Sequence, residues 1–431
     1  MRSLLSRLLA RFKPRRPAAA PRAQLQVESL ENRVTPSLTP VTSTAAFPSA
    51  AVVQIEARWD SNHSGKFDPG DTFANGTGVL VGPHHVLTAA HVVWDAGSLF
   101  PRPNWTVVFP GRKGEYDRPF GAAYVKRTAI PLAYTATLGL NDAQDIALLT
   151  LDRNIGKLTG KWFDYGWIAP SALQSKNPLL TMRHYPAEND SAGHDGVHPY
   201  LSQGRLTRVD GDHIYYNTDD FPTEKGSSGA PIYATVDLND PTHWGAVPTV
   251  IGVHHGHDGN SPTTRKATLL TPGKFQWLLN EQAKTRTVTD LPDLMDADTW
   301  MNAKTSTLST YAARGGASVT VNVRLRNGGT AAAGGFSVSF YASTSPTINP
   351  SRAIFLGKTT VRSLGVSGET SVSASLPLKN ARTNRPLPAG RYYIGWVIDS
   401  NNSVRELDET TNAYLGESSN TGYHYRPITV S

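Results

Sequence analysis

Cysteine is absent from all 431 residues, which excludes a disulfide framework, a thiolate nucleophile and a thiolate metal site together. No run of about 18 apolar residues without charge occurs, so no membrane-spanning helix is expected. Net positive charge is small outside the N-terminus. The formal net charge is +7, and residues 1–36 hold eight Lys or Arg against Glu28 and Glu31, which accounts for six of the seven. The remainder is nearly neutral, which argues against a nucleic-acid partner for the folded part.

The opening MRSLLSRLLARFKPRR starts basic, but arginines interrupt its apolar residues before the roughly 7–15-residue stretch of a secretory signal can form. The continuation LQVESLENRVTPS resembles a short leader found on large exported or surface proteins of some bacteria. A disordered basic tail is the alternative. Residues 1–46 are read as this leader, and a secreted or cell-surface location as the expectation, with the export route open.

The length calls for two folded domains. From Ala51 onward, short β runs (AVVQIEARW, GVLVG, HHVLTAA, WTVVFP, DIALLTL, HIYYNT, TVIGVHH) alternate with Gly, Pro, Asn and Asp clusters, the pattern of an all-β barrel or sandwich. A helix follows, with Thr271 as N-cap, Pro272 at its first position and Phe275, Leu278 and Leu279 on one face, closing the first domain near Lys284. Residues 285–292 read as a linker. Beyond it, SVTVNVRLRN and YYIGWVI alternate strictly, placing Val319, Val321, Val323 and Leu325, and Tyr392, Ile394, Trp396 and Ile398, on single faces. About seven such strands suit an antiparallel sandwich.

This second region resembles the CARDB module through VRLRNGGTAAAGGFSVSFYAS, the LPAG turn and RYYIGWVIDSNNSVRELDETTN, over roughly residues 291–417. The resemblance implies an immunoglobulin-like bacterial surface domain with a binding or spacer role and a cell-surface partner. Its limits are taken as 293–417, with 418–431 as a tail. Asp399, Glu406, Asp408 and Glu409 are expected to be solvated charges.

The stretch TEKGSSGAPIY sets two serines between glycines. A catalytic serine needs an imidazole to take its proton, a carboxylate to orient that imidazole, and backbone amides for the oxyanion. GTGVLVGPHHVLTAAHVV offers His91 just after a strand, with His84 and His85 read as turn residues. DIALLTL offers Asp145 at the mouth of an apolar strand, where an isolated charge would be costly without a hydrogen-bonded partner. The order His, Asp, Ser in a β-rich domain closed by a helix is that of chymotrypsin-type enzymes rather than subtilisins or α/β-hydrolases.

Residues 47–284 therefore resemble a chymotrypsin-fold (trypsin-like) serine protease of mostly β, two-barrel architecture, closest to the disulfide-free bacterial glutamyl endopeptidases. The motifs are TAAH, DIALL and GSSGAP. The family's Gly-x-Ser-Gly pattern implies Ser228 as nucleophile and Gly226 and Ser228 as oxyanion amides. Ser227 stands where digestive enzymes have an acid, so activation by a new amino terminus is not expected. The resemblance also implies that His254 and Thr223 contact a substrate carboxylate, giving preference for Glu or Asp before the cleaved bond. The alternative makes His254 and His255 packing residues beside an apolar pocket.

No cofactor is required by this chemistry. The loop DSNHSGKFDPGD partly follows the calcium-loop template, with oxygens at Asp60, Asn62, Ser64, Asp68 and Asp71 and Gly65 at the turn. It lacks the bidentate Glu and flanking helices, and a polar hairpin turn is the competing reading. The expected activity is serine endopeptidase action on a protein or peptide. Its rivals are an inactive surface adhesion protein and an esterase using the same triad.

Overall fold

The computed structural model describes residues 38–431 apart from 66–69, 99, 189–193, 220, 237–246, 260, 262, 301–303, 347, 408–410, 413–416 and 419. Six antiparallel strands, β1 (Val52–Trp59), β2 (Thr72–Leu80), β3 (His85–Thr88), β4 (Trp105–Pro110), β5 (Ala123–Ala129) and β6 (Ala147–Leu151), close a barrel. The ring runs β1-β2-β3-β6-β5-β4. Its core holds Val53, Ile55, Val79, Leu87, Leu148 and Leu149, and β6 is buried along its whole length, as its apolar sequence requires.

The second half of this region uses β7 (Leu180–His184), β8 (Tyr200–Gly204), β9 (His213–Asn217), β10 (Pro231–Val236), β11 (Val247–His257) and β12 (Thr264–Leu269). They pair in the order β8-β7-β10-β11-β12-β9, with Thr39–Pro40 and Arg208–Asp210 at the two ends. Among the described residues this sheet does not close into the expected second ring, because each short end strand pairs on one side only. It nonetheless encloses its own core of Met182, Ile214, Ile232, Ile251 and Leu269. Thr39–Pro40 pairs with Tyr200 and Leu201, so the folded region begins before residue 47.

Helix α1 (Pro272–Ala283) starts as expected, with the Thr271 side chain accepting from Lys274 N. Leu278 is buried and Leu279 is exposed. The helix docks through Leu278, which enters the barrel core with Trp277 beside it, and also through charge: Lys274 pairs with Asp212, and Glu281 with Arg127. The linker lies against the barrel. His84 Nε2 meets Thr285 O at 2.7 Å, His85 Nε2 meets Thr285 Oγ1 at 2.9 Å, and Asn154 Nδ2 donates to Val288 O. Both histidines are buried, so they anchor the linker rather than serve as surface turn residues.

In the C-terminal domain, β13 (Ser318–Asn327), β14 (Phe336–Ser343), β15 (Ile354–Val361), β16 (Glu369–Pro377) and β17 (Gly390–Ile398) form two sheets. One contains β13 and β16, the other β14, β15 and β17. Val319, Val321, Val323 and Leu325 face Ile394, Trp396 and Ile398 in one core, as the alternation predicts. The tail is part of the sandwich: Thr421–Tyr423 and Ile428–Val430 both pair with β17, burying Ile428 and Val430. Runs of three residues are too short to show a period, which is why they read as tail. Asp399 and Glu406 are buried braces rather than solvated charges. Asp399 accepts from Ser403 N and Val404 N, and Glu406 accepts from Leu294 N and from Asn420. Asp408 and Glu409 lie outside the described residues.

Candidate active site

His91 sits on a 3-10 turn (Ala90–Val92) directly after β3, and Asp145 on the turn entering β6. Because β3 and β6 are paired neighbours, with Thr88 opposite Ala147, the two turns emerge side by side. Asp145 is fully buried. Its Oδ2 lies 2.7 Å from His91 Nδ1, and its Oδ1 accepts the His91 backbone N–H at 2.9 Å. Burial works against the imidazolium of His91, but the charge and hydrogen bond of Asp145 outweigh it and raise the pKa. Burial likewise opposes ionisation of Asp145, yet His91 and His255 together hold its carboxyl well below the usual range. One edge of His91 remains open, its side chain being 32% exposed.

His255 is the group the sequence reading missed. Its Nδ1 lies 2.5 Å from the same Oδ2, and its ring stands edge-on to His91, with centroids 5.3 Å apart. Two imidazoles and one carboxylate with ligand atoms within 4.8 Å are a set that can hold a metal. The 2.5 and 2.7 Å separations are hydrogen-bond lengths, however, and ligands about 2.0–2.1 Å from a shared ion stand roughly 3 Å or more apart. The signal for His255 in the sequence was only its place beside His254 on a strand, which does not reveal what it faces.

Ser228 lies on the loop between β9 and β10. Thr77 N donates to Ser228 O at 2.8 Å, and Gly229 N donates to His254 O at 2.9 Å. A Cβ on Gly229 would collide with Thr88 Oγ1 and with Thr77 O, so the residue after Ser228 is pressed against the strand that delivers His91. The Ser228 hydroxyl forms no hydrogen bond among the described residues, His91 included; such contacts commonly tighten when substrate binds. Gly226 takes φ +80°, and a Cβ there would meet Tyr185 O and stand 2.9 Å from Ala187 N. Only glycine fits this turn. Neither the Gly226 nor the Ser228 N–H finds an acceptor among the described residues.

Ser227 is fully buried and faces inward. Its Oγ accepts from Glu224 N at 3.1 Å and lies 2.6 Å from His184 Nδ1, while His184 Nε2 lies 3.0 Å from Ser202 Oγ, which donates to Pro222 O. Burial first, then the neighbouring His194, lowers the His184 pKa to about 3. A neutral imidazole thus accepts the Ser227 proton at Nδ1 and donates from Nε2.

Of the residues expected to line a specificity pocket, His254 is buried and its Nδ1 bonds the Tyr216 hydroxyl. Burial, then neighbouring histidines and Arg265, push His254 well below the ordinary histidine value, while burial pushes Tyr216 well above 10. The phenol therefore keeps its proton and donates to Nδ1, leaving the His254 proton on Nε2. Thr223 Oγ1 is buried without a hydrogen-bond partner among the described residues. Lys225 is exposed beside Glu188.

The 60–71 loop joins β1 to β2. Both Asp60 carboxylate oxygens are engaged, accepting from Ser64 N at 2.9 Å and Gly65 N at 2.8 Å, while Asn62 Oδ1 also accepts from Ser64 N and Asp71 Oδ1 from Ser61 N. Asp68 lies outside the described residues.

Residues 76–237 match the trypsin-like peptidase domain family, and residues 291–415 match the CARDB family. The chain thus carries a trypsin-like peptidase domain followed by a CARDB domain. Among individual proteins, the glutamyl endopeptidase of Bacillus licheniformis is 27% identical over 217 residues, 50% of this chain and 57% of that one. The glutamyl endopeptidase of Staphylococcus epidermidis is 26% identical over 194 residues, 43% and 55% of the two chains. This chain therefore spans a little over half the length of the curated relatives it matches. A solved Glu endopeptidase in complex with MPD is 21% identical, covering 57% of this chain and 96% of that one, with a TM-score of 0.44. Among the described residues no helix is long and apolar enough to cross a membrane.

Proposed function

We propose that this protein is a serine endopeptidase in which Ser228 attacks a peptide carbonyl while His91 takes its proton. Asp145 orients His91 and stabilises the imidazolium, and the Gly226 and Ser228 amides receive the negative oxygen. His91 then protonates the departing amine, and a water activated by the same imidazole releases the acyl group from Ser228. No cofactor enters any step. The observation that carries the reading is the buried Asp145 carboxylate bonded to both the backbone and the ring of His91, in a domain of trypsin-like peptidase type.

We further assign a preference for Glu, with Asp second, before the scissile bond. It is supported by the Nε2–H of His254 and the unpartnered Thr223 hydroxyl, two buried donors that an apolar side chain would leave unpaired. The glutamyl endopeptidase relatives favour the same reading. For the CARDB domain we assign a binding or spacer role at the surface of a secreted or surface-held protein. The braced positions of Asp399 and Glu406 support a structural use of its acids.

The test is labelling by a fluorophosphonate probe with mass mapping of the modified residue. Label on Ser228, lost in Ser228→Ala, is the expected result. An unlabelled native protein would instead favour an adhesion protein, and turnover of esters without peptides an esterase. A peptide library returning Leu, Ala or Arg at the cleavage position would remove the acidic preference alone.

A further inference from the structure

We propose that Thr77 is the positioning residue that sets the oxyanion loop before substrate arrives, an inference that rests on the serine-hydrolase reading above. Thr77 lies fully buried in β2, and it touches no reacting atom. Its backbone N–H donates to Ser228 O at 2.8 Å, and its hydroxyl donates to Gly226 O at 2.8 Å. One residue therefore holds the carbonyls of both residues assigned as oxyanion donors.

The remaining carbonyls of the loop are held as well. Lys225 O accepts from Ala187 N at 2.8 Å, and Ser227 O from Ala230 N at 3.0 Å. In a trans peptide the N–H points opposite to the C=O of the same unit. Fixing Lys225 O thus turns the Gly226 N–H away from Ala187, and fixing Ser227 O turns the Ser228 N–H away from Ala230. Thr77 fixes the alternate units, 226–227 and 228–229, so all four successive peptides from 225 to 229 are set. The weakest point in such a run is Gly226, whose positive φ and lack of a Cβ let its peptide rotate at little steric cost. The Thr77 hydroxyl is the side-chain bond opposing that rotation.

Thr77 also ties this loop to the rest of the cleft. Its Oγ1 accepts from Tyr185 N at 3.0 Å, and its carbonyl accepts from Thr88 Oγ1 at 2.7 Å. Tyr185 follows His184, which receives the Ser227 proton, and Thr88 ends the strand leading to His91. The loop is consequently pinned at Ser227 from the second sheet and at Gly226 and Ser228 from the barrel. Both anchors are internal, in keeping with the absence of an acid at position 227 that a new amino terminus would have to pair.

The test compares Thr77→Val, which removes the hydroxyl but keeps the shape and the backbone N–H, with Thr77→Ser, which keeps the hydroxyl. Loosening preorganised donors is expected to lower kcat/KM about tenfold through kcat, with KM little changed. Affinity for a peptide aldehyde, whose adduct places an oxyanion in the same place, should fall by a similar factor. The Ser variant should recover most of both, a pattern that a purely structural role read by Tm does not produce. A Val variant with undiminished kcat/KM and aldehyde affinity, or a Ser variant as slow as Val, overturns the proposal while leaving the hydrolase reading intact. A native protein that neither reacts with a fluorophosphonate nor binds the aldehyde overturns both.

Discussion

Asp145 Oδ2 serves two imidazoles at once, His91 Nδ1 at 2.7 Å and His255 Nδ1 at 2.5 Å. With the His91 backbone N–H on Oδ1, the buried carboxylate has three hydrogen bonds, and His255 supplies one that owes nothing to His91. Replacing His255 by Leu leaves a buried charge one donor short. A bond to an ionised group contributes about 1.5–3 kcal/mol, so kcat/KM is expected to fall roughly tenfold to a hundredfold. Asn places an amide nitrogen at the position of Nδ1, and His255→Asn should recover most of the rate. Equal losses for Leu and Asn in steady-state assays would refute a donor role.

The charge that holds His91 also sets where activity begins. Its pKa is raised above 6.5 because Asp145 overcomes the cost of burial. His91 acts as a base only when neutral, so the rate falls as pH drops through this raised value. The acid limb of kcat/KM is expected above pH 6.5. A limb well below that value in a full pH profile would contradict the Asp145 coupling. In Asp145→Asn the orienting carboxylate is gone, and a loss of about 10⁴ in kcat is the expected scale.

Specificity is expected to depend on a residue that contacts no substrate. Tyr216 donates to His254 Nδ1 and so keeps the proton on Nε2. In Tyr216→Phe either nitrogen of His254 can carry the proton, and the donor to a substrate carboxylate is present only part of the time. The ratio of kcat/KM for Glu over Gln peptides should drop several-fold while cleavage of the Gln peptide changes little. An unaltered ratio would separate Tyr216 from specificity.

The parts of this architecture visible in the sequence were those with a local signature. Alternating Val319, Val321, Val323 and Leu325 announced a half-buried strand, Thr271–Pro272 a helix start, and TAAH, DIALL and GSSG the turns that carry His91, Asp145 and Ser228. What stayed hidden depends on which distant groups face each other. His255 and His254 differ by one position on one strand, and at a register shift between His254 and Gly256 one faces Asp145 and the other Tyr216. Glu406 and Asp399 looked solvated because acids usually are, whereas here the backbone N–H of distant Leu294 meets Glu406 and those of nearby Ser403 and Val404 meet Asp399. Thr77 was legible as part of GTG but not as the residue that grips Gly226.

The Asp60 loop separates two readings of one motif. The Ser64 and Gly65 N–H groups already give both Asp60 oxygens a partner, so the turn is held without an ion. We therefore expect no change in Tm when the purified protein is treated with a chelator, and none on adding calcium. A chelator-induced drop in Tm, restored by calcium, would establish the calcium site with Asp60 among its ligands.

Arg153 joins the two domains. It pairs with Asp152 at 3.0 Å and with Asp293 at 2.7 Å, and both Arg153 and Asp293 are buried. The desolvation that opposes its charge is outweighed by these two carboxylates, so the guanidinium stays ionised. Close by, Asp290 accepts from Asn154 at 2.6 Å and pairs with Lys157, so the contact continues into the linker. Arg153→Met leaves the Asp152 and Asp293 carboxylates without their shared cation, and removing one partner of a buried pair costs about 3–5 kcal/mol. Denaturant unfolding should show that loss, and limited proteolysis should show earlier cutting within residues 285–292, the segment whose bonds to the barrel adjoin this pair. The double variant Arg153→Met, Asp293→Leu removes the opposing charge as well and should regain part of the stability. If the single variant unfolds like the native protein, the two domains are held by other contacts.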